Sequence, residues 1–302
     1  ETIGTILASL DIVSDTDIIR WLEEDKAVNL QCAARAYFHT KAKYRGVAWL
    51  EEVVVSAGLG VEGRLALAAS IPTEEKFWNC IEKYDDAFVA AYWRNVNCHE
   101  IPEDQCVEAI SLLLLHERPW RALDVLFRLK CSGELSVDSA TVIDVLNACL
   151  AVQENFDRSH YSYVVSELLK WLEVVAPEDL LLPWLEFCYF DFIGGDHDPS
   201  FALYSLLGNV PEEFVSLVRL IDRGQHELGK ARTEGDVALA QLAHSVLFHW
   251  GILPGLRECG EIDGGHLRCW VSKCRRLFNE LGDVEMGDRE IGKVLASSPD
   301  GQ

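Results

Sequence analysis

The chain has 302 residues, 49% of them hydrophobic and 25% charged, which is the composition of an ordinary soluble globular protein and enough for a sizeable core. Its formal charge of −22 repels phosphate backbones, so general nucleic-acid binding is disfavoured while basic partners stay open. The longest wholly aliphatic run, Leu112 to Leu115, falls far short of the ~20 apolar residues that a membrane span needs.

Glu1 to Leu10 and Asp15 to Glu24 read as two helices, the second capped by Ser14 or Asp15. Ala27 to Lys43 carries Leu30, Ala34, Tyr37 and Phe38 along one side. Val47 to Ala57 follows, ended by Gly58 and Gly60; its β-branched Val53-Val54-Val55 allows a strand, but the flank Trp49-Leu50-Glu51-Glu52 favours a helix. Arg64 to Ile71 is a short helix. Phe77, Ile81, Tyr84, Phe88 and Ala91 then keep helical spacing as one continuous stripe.

The stretch Glu103 to Lys130 reads as a helical hairpin turned at His116-Glu117-Arg118-Pro119. Val107, Ile110 and Leu114 share one face of its first helix, and Trp120, Leu123 and Phe127 one face of its second. Pro119 suits a first helical turn, where its missing amide has no helical partner. A hairpin of this size cannot bury both faces and must stack on neighbours.

Ser139 to Val152 and His160 to Val175 are amphipathic helices. Beyond Pro177 the elements shorten. Glu178 to Phe192 is nearly all apolar, interrupted by Pro183; Gly194 to Pro199 is a turn; Phe201 to Leu207 and Pro211 to Ile221 are short helices. Asp222 to Glu234 is the least hydrophobic internal segment and is expected to be a mobile loop. Val237 to Trp250 is a helix, and Pro254 to Gly265 a polar connection. His266 to Leu281 places Leu267, Trp270, Val271, Cys274, Leu277, Phe278 and Leu281 on one stripe, with Arg268, Lys273, Arg275 and Arg276 off it. A last short helix holds Ile291, Val294 and Leu295.

No stretch alternates with period two, so the expected fold class is all-α. Helix pairs recur roughly every 35 to 45 residues, the period of helical repeats, although no TPR or HEAT consensus matches cleanly. We therefore expect an irregular α-solenoid of stacked hairpins over residues 1–302, with sub-blocks 1–72, 73–223 and 235–302. The start at Glu1 and the single methionine, Met286, lead us to expect a fragment or a processed product. Scarce Met beside abundant Trp, Ala, Leu and Val points to a GC-rich bacterial source.

Catalytic signatures do not emerge. His197-Asp198 invites comparison with metal-binding HD phosphohydrolases, but flanking glycines and Pro199 suit a turn in which Asp198 caps the next helix. Cys259, His266, Cys269 and Cys274 lack the paired knuckles of a zinc site. Ten scattered cysteines include no Cys-x-x-Cys pair, and the opening residues lack the pattern of a signal peptide, so a reducing cytoplasm fits. There is no Gly-x-Ser-x-Gly elbow, Walker loop or Gly-x-Gly-x-x-Gly. Paired carboxylates such as Asp85-Asp86 and Glu212-Glu213 fit polar faces or first helical turns. We expect no catalytic residue, no metal and no cofactor.

Contact residues are the better expectation. Arg268, Lys273, Arg275 and Arg276, with Trp270 nearby, form the one concentrated positive patch. Among nine tryptophans several lie near turns (Trp49, Trp93, Trp120, Trp184); most serve the core, and one or two on a concave surface would anchor a partner. The expected partner-binding set is Trp93, Trp120, Arg268, Trp270, Lys273, Arg275 and Arg276. The partner is a protein or another domain of the same chain, and the oligomeric state stays open.

Ala91 to Val96 (AYWRNV), Arg118 to Leu126 (RPWRALDVL) and Leu267 to Gly301 resemble the carboxy-terminal helical region of large bacterial multidomain proteins, among them STAND-like or nuclease-bearing antiphage defence proteins. That resemblance carries no catalytic motif. Stacked hairpins expose an extended concave face, so the expected role is a non-catalytic protein-binding sensor or scaffold region, with a metal-dependent hydrolase using His197 and Asp198, or an oligomerisation module, as alternatives.

Overall fold

A computed structural model describes residues 2–10, 13–23, 28–56, 58–133, 137–152, 158–193, 201–226, 234–248 and 265–296. The described residues are all-helical, with no strand among them. They fall into two compact units, Glu1–Val137 and Asp138–Gln302. That boundary lies inside the expected sub-block 73–223.

The first unit runs α1 (Thr2–Leu10), α2 (Asp15–Glu23), α3 (Val28–Arg45), α4 (Val47–Ser56), α5 (Val61–Ala68), α6 (Glu75–Ile81), α7 (Asp86–Asn95), α8 (Cys106–Leu115) and α9 (Pro119–Ser132). Helix α1 packs on α3 rather than on its neighbour α2. The approach is close because Gly4 has no side chain: a Cβ there would lie 1.9 Å from the Ala33 carbonyl oxygen. Ile18, Leu22, Ala34, Tyr37, Phe38 and Leu67 make the core of this end. Asp15 ties three helices together, accepting from the Tyr37 hydroxyl and from Trp49 Nε1 at 2.9 Å, with Lys41 Nζ 3.6 Å away.

Two local expectations need correction. The stripe from Phe77 to Ala91 is not one helix. Asp85 accepts from the Phe88 amide at 3.1 Å and starts α7 afresh, so residues 82–85 are a turn that happens to keep helical spacing. The buried face of α8 is Cys106, Ala109, Ile110 and Leu113, whereas Val107 is exposed. Small residues let α9 lie close on that face. The turn itself is as expected: Pro119 opens α9, and Glu117 takes the left-handed backbone (φ 58°) that the reversal requires.

The second unit runs α10 (Ser139–Ala151), α11 (Arg158–Val175), α12 (Leu182–Ile193), α13 (Phe201–Asn209), α14 (Pro211–His226), α15 (Glu234–Phe248), α16 (Gly265–Leu281) and α17 (Val284–Ala296). Neighbouring pairs α11/α12, α12/α13, α14/α15 and α16/α17 pack together, and α12 also meets α15 while α14 meets α16. Phe187, Tyr204, Phe214, Trp270, Phe278 and Ile291 lead the core. Helix α14 continues to His226, into the segment expected to be a loop; residues 227–233 lie outside the described residues. The expected turn at Gly194–Pro199 and the connection at Pro254–Gly264 lie outside them as well.

Candidate partner-docking groove

The expected tryptophan anchors are core residues. Trp93 is 0% and Trp120 4% exposed, and Trp270 is equally buried. The indole of Trp93 donates to Glu82 Oε1 at 3.1 Å and stacks on His116, 5.2 Å between centroids, while His116 Nε2 lies 2.9 Å from the same carboxylate oxygen. This cluster ties α7 to the turns after α6 and α8. Trp270 donates to the Leu207 carbonyl at 3.0 Å and packs on Phe214. None of the three indoles presents a face that a partner could reach. For Trp93 and Trp120, at helix ends, the aromatic near a turn is a packing signal, since large rings fill the wedge where two helices diverge.

The cations of α16, expected as a contact patch, are exposed. Their charge is partly answered within the chain: Arg275 pairs with Asp288 at 3.0 Å and Arg276 with Glu280 at 3.6 Å. His197, Asp198 and Cys259 lie outside the described residues. Among the described residues, no group of three or more His, Cys, Asp or Glu is placed to hold a metal ion. The described cysteines are free thiols, and burial pushes Cys98 and Cys274 up to about 12, the opposite of an activated nucleophile. No described helix is long and apolar enough to cross a membrane.

The surface that does carry a binding geometry lies in the second unit, where α11 turns into α12. Asp179 Oδ1 accepts from the Leu181 amide at 2.9 Å, and the Leu182 amide bonds the Asp179 carbonyl at 3.2 Å. Pro183, in the first turn of α12, gives up no hydrogen bond there. This tight turn throws Leu180 outward until it is 92% exposed. One turn on, Trp184 stacks on Phe187 at 5.7 Å and stays 49% exposed.

Two recesses flank this ridge. The larger, about 520 Å³, is walled by Trp184 and Phe187 of α12, Leu206 of α13, Leu217 and Leu220 of α14, and Leu239 of α15. The smaller, about 310 Å³, runs from Glu173 and Pro177 past Asp179 to Ala202 and Asn209. Both are lined by Leu180, Pro183 and Leu206, so they form one groove. Every charged residue lining it is an acid: Glu213 in the larger recess, and Glu173, Glu178 and Asp179 in the smaller.

Glu186 fastens the groove from behind. It lies fully buried in α12 and accepts from the Leu203 amide and, at 3.3 Å, the Ala202 amide, both in the first turn of α13. It thereby fixes the helix whose Leu206 the recesses share. Burial, reinforced by a hydrogen bond with the Glu173 carboxyl beside it, pushes Glu186 up to about 9 against the lowering effect of the two amides. The carboxyl is neutral at pH 7 and occupies the apolar layer as an acid, not as an ion.

Sequence reasoning singled out Trp184 but missed Leu180 and Glu186. Its signals were a run of three leucines, more than one helix face can bury, and a lone carboxylate inside Leu-Pro-Trp-Leu-Glu-Phe-Cys-Tyr-Phe. The fold and groove define the class: an all-α protein with an acid-rimmed apolar groove. Comparisons with protein-family models, curated proteins and solved structures find no match that narrows it.

Proposed function

We propose that this chain is a non-catalytic, protein-binding helical-repeat region, a sensor or scaffold surface of irregular stacked hairpins within a larger bacterial protein. The observation that carries the reading is the groove at the α11–α12 turn, where Leu180 and Trp184 stand exposed over recesses of about 520 and 310 Å³. A leucine held almost wholly in water by a built turn forgoes roughly 1.5–3 kcal/mol of burial, which a bound partner recovers. The resemblance of Leu267 to Gly301 to the carboxy-terminal region of multidomain antiphage defence proteins fits this role.

The test is to pan a displayed peptide library against the folded chain and against its L180E/W184A variant. Enrichment by the wild type that the variant loses supports the reading. No enrichment from a diverse library, or enrichment that the variant retains, removes the groove from the account.

A further inference from the structure

We infer that the groove takes one class of partner, a basic amphipathic α-helix that sets an apolar stripe on Leu180, Trp184 and Leu206 and places Lys or Arg against Glu173, Glu178, Asp179 and Glu213. The inference rests on the protein-binding reading and specifies its partner.

Three observations carry it. The first is charge: all four ionisable residues that line the two recesses are acids, on a chain of formal charge −22. Carboxylates gathered around an apolar floor repel one another and attract a cationic rim, which sets orientation and association rate. The second is backbone chemistry. The walls are side chains of Leu, Trp, Phe and Pro, and no described strand offers an edge for an extended peptide to pair with. An extended segment would leave its N–H and C=O groups facing those walls unbonded, whereas a helix satisfies its own. The third concerns the occupant. A second copy of this chain would bring the same −22, so self-association through the groove is opposed by net charge, as is a nucleic acid.

The experiment uses the full chain and two labelled synthetic helices of about five turns each. One carries Leu on one face and Lys on the other, and its counterpart carries Glu in place of Lys. Fluorescence anisotropy at low and high salt reads both. The inference expects the Lys peptide to bind at least about tenfold more tightly than the Glu peptide, with the preference shrinking as salt screens it. It further expects E178Q/E213Q, two exposed substitutions that leave the apolar floor intact, to reduce that preference several-fold, and L180E to abolish Lys-peptide binding. Equal binding of both peptides that L180E abolishes would overturn the inference while leaving the groove a protein-binding site. Lys-peptide binding that L180E leaves unchanged would place the contact elsewhere and overturn it too. Binding of neither peptide, while panning still enriches groove-dependent sequences, would overturn the charge class alone. Failure of both experiments would remove the protein-binding reading with it.

Discussion

Replacing Glu186 by Gln should stabilise the chain progressively as pH rises. The folded carboxyl titrates at about 9 and the unfolded one near its ordinary value of 4.5. Between those values the native state holds a proton that the unfolded chain has released. A group whose folded value is raised contributes stability that is complete below the unfolded value and lost as pH climbs towards the folded one. The loss amounts to roughly 1.4 kcal/mol per pH unit for one proton, or about 2–3 kcal/mol between pH 6 and pH 8. Gln keeps one acceptor oxygen where Glu186 offers two, one each to the Ala202 and Leu203 amides, so it loses a pH-independent amount of stability, but it carries no titrating proton. Urea unfolding of wild type and E186Q across this range isolates the Glu186–Glu173 site, because titrating groups elsewhere cancel in the difference. The gap between the two stabilities should widen with pH at about that slope. Hydrogen exchange of the 201–209 segment should follow the same trend. A gap that stays constant with pH would show the carboxyl ionised in the fold and refute the buried-acid account of how α12 holds α13.

Four further outcomes follow from the packing. Gly4→Ala should destabilise the first unit by roughly 1–3 kcal/mol by overpacking α1 on Ala33, despite a gain of about 1 kcal/mol in helix propensity; chemical denaturation reads the balance, and net stabilisation would refute the close approach. Leu113→Ala should cost about 2–5 kcal/mol and Val107→Ala under ~1 kcal/mol, a contrast that tests which face of α8 is buried. Asp138→Ala removes the acceptor for the Thr141 amide at 2.7 Å, so exchange at the start of α10 should quicken; unchanged exchange would mean the cap is idle. The hydrogen bond that Asp138 accepts from the Thr141 amide holds its carboxyl below the ordinary 3.8, so this cap should persist above that value and fail as pH falls through the lowered one.

How much of this was legible beforehand depends on the element. Helix α16 is readable almost to the residue because its polar face is charged and its stripe, with Trp270, Cys274 and Phe278 buried, is uninterrupted. Helices α6 and α7 are not, because Tyr84 and Phe88 keep helical spacing across a turn that only the Asp85 cap reveals, and an Asp-Asp pair reads equally well as solvated surface. The face of α8 was misplaced because Cys106 and Ala109 are small and carry a weaker hydrophobic signal than exposed Val107. The groove lies beyond any such reading: Leu180 and Leu182 are chemically identical in sequence, and only the turn set by Asp179 puts one in solvent and the other in the core. Burial of the indoles of Trp93 and Trp120 was hidden in a different way, since an aromatic near a turn suits an anchor and a wedge alike.

The central claim, that the groove at the α11–α12 turn is where this chain docks a partner, is tested most directly by hydrogen-exchange mapping of the full chain with and without the Leu/Lys helix. The account predicts protection gathered at residues 173–187 and 202–220, and absent from the L180E chain. Protection gathered instead on α16 around Arg268 to Arg276, or the same pattern in the L180E chain, would contradict it.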